Sequence, residues 1–202
     1  MIEENKFIEK VARLFEENGA KSLTMDDIAK EFGISKRTLY KDYKNKEELL
    51  GEVLTYRLGR VLERMKNLEN KIDNPIDRML SRDKEIKNAS SSNRTIMLRQ
   101  LTKYYPQIFS RHMKDFSEKF SLILLENIKK GREQGYYRKD FDAQFYSKLF
   151  FQLAMSYNTP YLDTSNISHY EYQTEGLRFY LYAITTQKGR EYLEALKENN
   201  RD

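Results

Sequence analysis

The chain contains no cysteine, which excludes disulfides and thiolate metal sites and favours a reducing location such as the cytoplasm. Its only two histidines, His112 and His169, are too few for a multi-histidine metal site. No glycine-rich phosphate loop is present, and no spacing suggests a Ser-His-Asp arrangement. We therefore expect no cofactor, no bound metal and no enzymatic activity.

Long apolar runs are also missing. The most apolar stretches, residues 122–125 and 149–155, are far too short to span a bilayer, so no membrane partner is expected. The N-terminus lacks the basic and apolar regions of a signal peptide. Three prolines and eight glycines in 202 residues leave room for long uninterrupted helices.

Positive charge is present overall but is unevenly distributed. The formal net charge is +5, yet the first fifty residues carry ten Lys or Arg against eleven Asp or Glu. Within that balanced region, residues 36–46 contain five basic side chains and only one acidic side chain, Asp42. A basic cluster permits a polyanionic partner, so the argument for such a partner depends on this segment.

The first seventy residues carry the start and stop signals of four helices. A first helix ends near Gly19, and Thr24 begins a second with Asp27 at the capping-box position. Gly33 is expected to end that helix in a left-handed conformation. Ser35 then caps a short third helix, and Asn45 caps a fourth that is expected to reach about residue 70.

The remaining chain also follows helical periodicity, and no segment shows strand alternation. Pro75 is placed to begin a fifth helix, because proline is favoured at the first helical position. Residues 87–94 are predicted to form a loop. Further helices are expected over residues 95–105, from Pro106 to an end near Gly131 to Gly135, and over 142–158, 169–186 and 188–197. The sequence therefore predicts an all-α protein.

The second and third helices, joined by Gly33-Ile34-Ser35, form a helix-turn-helix unit, whose second helix is suited to a DNA major groove. Residues 24–50 closely resemble the N-terminal domain of TetR-type regulators. Leu39-Tyr40, Tyr43 and residues 44–49 carry the most specific part of the resemblance. Many family members have phenylalanine at the position of Tyr43, a mild departure that keeps the aromatic ring.

The resemblance implies two domains and a regulatory function. Residues 1–46 would form a helix-turn-helix DNA-binding domain, and residues 47–202 a larger helical effector-binding and dimerisation domain. The expected protein is a cytoplasmic homodimer that binds double-stranded DNA sequence-specifically. It would act as a repressor, released from a near-palindromic operator by a largely hydrophobic small-molecule effector.

Candidate DNA contacts follow from side-chain chemistry and from the resemblance. Arg37 is the best base reader, because a guanidinium can donate two hydrogen bonds to guanine. Lys36 could read a base or bind phosphate, whereas Leu39 should face the core. The resemblance places several of the remaining candidates on the sugar-phosphate backbone. The predicted DNA-binding set is Thr24, Ser35, Lys36, Arg37, Thr38, Tyr40, Lys41, Tyr43 and Lys46.

The family resemblance also suggests a ligand pocket and a dimer face in the C-terminal domain. The predicted pocket residues are Met97, Leu101, Tyr104, Tyr105, Phe109, Met113, Phe116 and Phe150. The predicted dimer face combines two helical stripes from the last two long helices. It consists of Phe145, Leu149, Leu153, Tyr157, Tyr170, Thr174, Leu177, Leu181 and Ile184.

A competing interpretation is a helical protein–protein interaction module whose helix-turn-helix is purely structural. A basic run such as residues 36–46 is, by itself, typical of a solvated surface, and aromatic stripes at helical spacing are typical of a core. The two interpretations differ in one observable. A regulator binds specific DNA better than random DNA, whereas an interaction module shows no such gain.

Overall fold

The computed structural model of the protein describes residues 4–81, 97, 100–158 and 166–198. Apart from one isolated bridge between Tyr137 and Thr185, the regular structure in these ranges is helical, which confirms the predicted all-α class. The first four helices are α1 Glu4–Asn18, α2 Met25–Glu31, α3 Lys36–Asp42 and α4 Lys46–Lys71. They are followed by α5 over 75–81, α6 at 97 and 100–104, and α7 Pro106–Glu133. The last helices are α8 Ala143–Met155, which continues into a 3₁₀ turn at Ser156–Asn158, α9 His169–Ile184 and α10 Gln187–Glu198. The loop predicted at 87–94 lies outside the described residues.

Most predicted helix ends are confirmed by their local chemistry. Gly19 adopts φ 82°, where a side chain would be strained, and the chain leaves α1 there. Asn74 begins α5, because its Oδ1 accepts from the N–H groups of Ile76 at 2.8 Å and Asp77 at 3.3 Å. Pro75 occupies the first helical position, as expected.

The chain divides into two compact units. The first comprises the described residues of Met1–Leu62 and Ser91–Phe116. Its hydrophobic core is built around the inner face of α1, where Phe7, Val11 and Phe15 are buried. The first half of α4 adds Leu49, Leu50, Val53 and Leu54 to the same core.

The second unit comprises the described residues of Glu63–Ser90 and Ser117–Asp202. Tyr137 is fully buried in it, and this burial raises the pKa of the Tyr137 hydroxyl far above its ordinary value. Its hydroxyl accepts from Asn127 Nδ2 at 3.4 Å. Helices α8 and α9 pack together at Gly176, where an added Cβ would lie 3.6 Å from Leu153.

Helix α4 contributes residues to both units, because its first part belongs to the N-terminal unit and its last part to the second. The predicted functional boundary between residues 46 and 47 therefore does not coincide with the division by packing, and it stays a prediction. Among the helices that the structure describes, none is both long and apolar enough to cross a membrane.

Candidate nucleic-acid interface

Helix α2 begins with the predicted capping box. Thr24 Oγ1 accepts from the N–H of Asp27 at 3.2 Å, and Asp27 Oδ2 accepts from the N–H of Thr24 at 2.9 Å. These reciprocal bonds satisfy two backbone donors and fix where α2 begins. They also lower the pKa of the Asp27 carboxyl, mainly through its hydrogen bonds with Thr24.

The turn between α2 and α3 is a Schellman motif. Gly33 adopts φ 61°; its N–H donates to Lys30 O at 3.1 Å, and the N–H of Ile34 donates to Ala29 O at 3.0 Å. Ile34 packs partly buried against the core, and Ser35 Oγ accepts from the N–H of Thr38 at 3.1 Å. The turn therefore sets the start and direction of α3 through backbone hydrogen bonds, as its sequence predicted.

One side of α3 anchors the helix and the rest is open to solvent. Leu39 is 1% exposed and lies in the core, as expected. The predicted contacts on α3 are all exposed: Lys36, Arg37, Thr38, Tyr40 and Lys41. The arrangement presents basic groups, a hydroxyl and a phenol on one short helix, which are donors suited to base edges and phosphates.

The two leading base readers differ in their surroundings. Lys36 Nζ donates to Asp26 in an exposed ion pair between α3 and α2. Within the part of the chain that the structure describes, Arg37 has no hydrogen bond and no ion pair. The guanidinium of Arg37 is thus available to a ligand without first breaking a contact, whereas Lys36 would have to exchange Asp26 for it.

Three residues that were predicted to contact the DNA backbone differ in how exposed their side chains are. Tyr40 is 46% exposed, but Tyr43 is only 8% exposed and its ring stacks on Phe7 at a centroid distance of 5.9 Å. Lys46 is half-buried, and its Nζ donates to Lys21 O at 3.0 Å. Burial lowers the pKa of the Lys46 ammonium, although it is opposed by the nearby Glu47. A phosphate contact through Tyr43 or Lys46 stays a prediction.

The start of α4 is fixed next to this surface. Asn45 Oδ1 accepts from the N–H of Glu48 at 2.8 Å, as the sequence predicted. The Glu48 carboxylate accepts from the N–H of Lys44 at 2.6 Å instead of from that of Asn45. Both bonds hold the link between α3 and α4 in one conformation.

The sequence did not reveal that α6 and the start of α7 support this N-terminal unit. Met97 and Leu101 are buried in its core, and Tyr105 and Phe109 pack against it. Gln100 Oε1 accepts from the N–H of Lys21 at 2.9 Å. No local signal points to these contacts, because they join segments that are far apart in the sequence.

Seven of the eight predicted pocket residues belong to the N-terminal unit, and one, Phe150, belongs to the second unit. Four of the eight, Met97, Leu101, Tyr105 and Phe109, belong to or pack on the N-terminal core. Tyr104 is 40% exposed, with Lys21 Nζ 4.6 Å from its ring centroid. The last three, Met113, Phe116 and Phe150, are divided between the two units. An effector site lined by this set stays a prediction.

The predicted dimer stripe is partly exposed on α8, where Leu153 is half-buried, and Tyr157 is half-buried in the following 3₁₀ turn. Phe145 and Leu149 are exposed by 60% and 44%. On α9, Leu177, Leu181 and Ile184 are buried inside the protomer, while Tyr170 and Thr174 are half-buried. Phe179 is not among the predicted dimer residues, and it is a large apolar side chain on α9 that is 72% exposed.

Comparison with known proteins finds a family whose N-terminal domain is similar to this one. The sequence model described as "Bacterial regulatory proteins, tetR family" matches residues 7–53. The HTH-type transcriptional regulator YerO of Bacillus subtilis is 39% identical over 64 residues, which cover 32% of this chain and 22% of YerO. The HTH-type transcriptional repressor KstR2 of Mycobacterium tuberculosis is 24% identical over 141 residues, or 68% of this chain and 70% of KstR2. The chain thus spans only about a fifth of YerO.

A solved structure extends the similarity to the remaining helices. Reduced NemR of E. coli superimposes with a TM-score of 0.70 at 16% identity, covering 90% of this chain and 96% of NemR. That similarity shows the fold alone. Residues 7–53, which form the capped helix-turn-helix, thus match the tetR family of bacterial regulatory proteins, and the fold over 90% of the chain is similar to that of NemR.

Proposed function

We propose that the protein is a homodimeric transcriptional repressor that binds a near-palindromic operator and is released by a largely hydrophobic small molecule. The observation that carries the proposal is the exposed donor set on α3, held in place by a Schellman turn and a buried Leu39. The match of residues 7–53 to the tetR family supports DNA-binding regulation, and the relative KstR2 is named a repressor.

The first experiment measures DNA binding by fluorescence anisotropy, using the DNA upstream of the protein's own gene and a random duplex of equal length. We expect the upstream DNA to bind at least about 1,000-fold more tightly than the random duplex, the lower end for specific recognition. Affinity for both should fall as salt rises, because phosphate contacts release counterions. Equal affinity for the two duplexes would support a structural helix-turn-helix instead.

Two half-sites require two recognition helices about 34–36 Å apart, and therefore a dimer. We place the dimer face on the exposed sides of α8 and α9, at Phe145, Leu149 and Phe179. Large aromatic side chains that are more than half exposed in the protomer, as Phe145 and Phe179 are, are typical of an interface, since solvent exposure of such groups is unfavourable. Leu177, Leu181 and Ile184 would instead support this face from within the protomer.

Replacing Phe179 by glutamate is expected to convert the dimer to a monomer at micromolar concentration, because it buries an unpaired carboxylate in the interface. Sedimentation velocity measures the change. Leu122→Glu is the matched control, since Leu122 on α7 is similarly exposed, at 61%, and lies outside the proposed face. Equal dissociation of both variants, or of neither, would contradict this face.

Helix α4 is the proposed link between effector and DNA. It begins three residues after Tyr43 and runs to Lys71, so one continuous helix joins the recognition helix to the second unit. An effector that displaces α4 would alter the separation of the two recognition helices. A coupling free energy of about 1–3 kcal/mol is typical for such regulation.

A further inference from the structure

A group of lysines lies outside the helix-turn-helix, where α6 packs on the turn between α1 and α2. This lysine cluster consists of Lys21, Lys46 and Lys103, placed around two neighbouring tyrosines. Lys21 and Lys103 place Nζ 4.6 and 5.3 Å from the ring centroid of Tyr104. Lys46 places Nζ 5.8 Å from the ring centroid of Tyr105. All five residues belong to the N-terminal unit.

Hydrogen bonds to the backbone fix the place where these segments meet. The N–H of Lys21 donates to Gln100 Oε1 at 2.9 Å, and the hydroxyl of Tyr105 donates to Ala20 O at 3.5 Å. Lys46 Nζ donates to Lys21 O at 3.0 Å. The cluster is therefore a product of the tertiary fold, since it joins segments as far apart as Lys21 and Gln100.

The positive charge of the cluster is not neutralised by ion pairs. Among the described residues, none of its three lysines forms an ion pair. Burial lowers the pKa of the Lys46 ammonium, and the charges of Glu47 and Asp27 oppose that effect only through space. The Asp27 carboxylate accepts hydrogen bonds from the N–H and the hydroxyl of Thr24. The ammonium groups are thus available to an external anion.

Two of these ammonium groups share the exposed ring of Tyr104. Their distances from its centroid leave them at most about 10 Å apart, which is about one Debye length at 0.1 M salt. The electron-rich face of the ring offsets part of their mutual repulsion. The positive charges of Lys103 and then Lys21 lower the pKa of the Tyr104 hydroxyl. The positive potential at this place favours an anionic partner.

The lysine cluster adjoins the helix-turn-helix at both of its ends. Lys21 lies three residues before Thr24, the cap of α2, and Lys46 lies four residues after Asp42, the end of α3. Thr24 and Lys46 are already predicted DNA contacts. Lys21 and Lys103 are not, because their proximity to Lys46 depends on the packing of α6.

We infer that the lysine cluster binds the phosphate backbone of duplex DNA beside the helix-turn-helix, so that α6 forms part of the DNA interface. Lys21 and Lys103 supply charge, and the exposed Tyr104 hydroxyl can donate to a phosphate oxygen. Duplex DNA carries a negative charge about every 1.7 Å of its axis, so it offers phosphates to several neighbouring ammonium groups. The inference rests on the proposed DNA-binding function and adds Lys103 and Tyr104, which lie outside the matched residues 7–53.

The test measures how DNA affinity depends on salt. Each phosphate contact contributes about 0.9 to the slope of the logarithm of affinity against the logarithm of salt concentration. The double variant Lys21→Gln, Lys103→Gln removes two charges per protomer, and therefore four in the proposed dimer. We expect its slope to be shallower than that of the unmodified protein by about 3.6. An unchanged slope would overturn the inference.

Fluorescence anisotropy of the full-length protein gives these slopes for the upstream and the random duplex. The decrease in slope should be the same for both, because phosphate contacts carry no sequence information. The charge-preserving variant Lys21→Arg, Lys103→Arg should retain the original slope on both duplexes. A shallow slope in this arginine variant would overturn the inference, because the loss would then not follow the charge.

Lys188→Gln is the matched control. Lys188 is also exposed and places Nζ 4.4 Å from the ring centroid of a tyrosine, Tyr136, but it belongs to the second unit. We expect this substitution to leave the slope unchanged. A decrease per lysine as large as that of the double glutamine variant would overturn the inference. Circular dichroism establishes that each variant is folded before titration.

The two duplexes separate this inference from the proposed function. Equal affinity for upstream and random DNA, with a shallower slope in the double glutamine variant, contradicts the proposed repressor alone. Specific binding to upstream DNA, with the same slope in the unmodified protein and the variant, contradicts the role of the lysine cluster alone. Absence of binding to either duplex at low salt would overturn both.

Discussion

Arg37→Ala is expected to weaken binding to specific DNA by about 30-fold or more, because each bidentate arginine–guanine contact contributes ~1–3 kcal/mol and the proposed dimer would make two. The side chain is exposed and, within the described part of the chain, engages no other group. No internal contact therefore has to be broken before Arg37 binds DNA, and none is lost on its removal. The free energy of unfolding should change by less than about 0.5 kcal/mol.

Anisotropy titrations with upstream and random DNA, each at two salt concentrations, measure this effect. The loss should be confined to the upstream DNA, because base contacts determine specificity and phosphate contacts do not. Lys36→Ala should cause a smaller loss, since Lys36 must first leave Asp26. Arg111→Ala, at an exposed arginine on α7, is the control. An equal loss on both DNAs would show that Arg37 binds phosphate.

Much of the helix-turn-helix could be predicted because its signals are local. A cap such as Thr24 with Asp27 operates within four residues, and Gly33 ends α2 through hydrogen bonds within the same turn. The backbone chemistry of such motifs does not depend on the rest of the fold. The predicted starts and ends of α1 to α4 consequently agree closely with the structure.

The packing partners of the predicted pocket residues could not be predicted in the same way. A stripe of methionine and aromatic residues shows that a helix face is buried but not what covers it. Leu101 and Met97 cover the core of the N-terminal unit, next to the turn after α1 where Gly19 lies close to Gln100. Such contacts depend on tertiary packing between distant segments, for which one sequence carries no local signal.

On α9, the sequence likewise predicted which residues share a face but not whether that face is buried within the protomer. Helical periodicity groups Leu177, Leu181 and Ile184 correctly on one stripe, and the structure buries that stripe inside the protomer. Phe179 lies outside the stripe and is therefore invisible to a search for periodic apolar residues. An exposed aromatic side chain of this kind is recognised only once the burial of its neighbours is known.

Gly131→Ala is expected to lower the free energy of unfolding by about 2 kcal/mol or more, although alanine favours helices over glycine by ~1 kcal/mol. A Cβ at residue 131, in the last turns of α7, would overlap Cδ2 and Cε2 of the Tyr137 ring. That ring is fully buried, and its hydroxyl accepts a hydrogen bond from Asn127 Nδ2. The ring cannot move aside without disturbing that packing, so steric overlap outweighs the gain in helix propensity.

Gly59→Ala provides the matched control inside α4. Nothing lies within 4 Å of the Cβ that it would add, and residue 59 is exposed, so the substitution should stabilise the protein by about 0.5–1 kcal/mol. Urea unfolding at fixed protein concentration measures both changes. Combining Gly131→Ala with Tyr137→Leu should cost less than the sum of the single losses, because the smaller side chain frees the space that Cβ needs. Additive losses would mean that the two residues do not compete for the same volume.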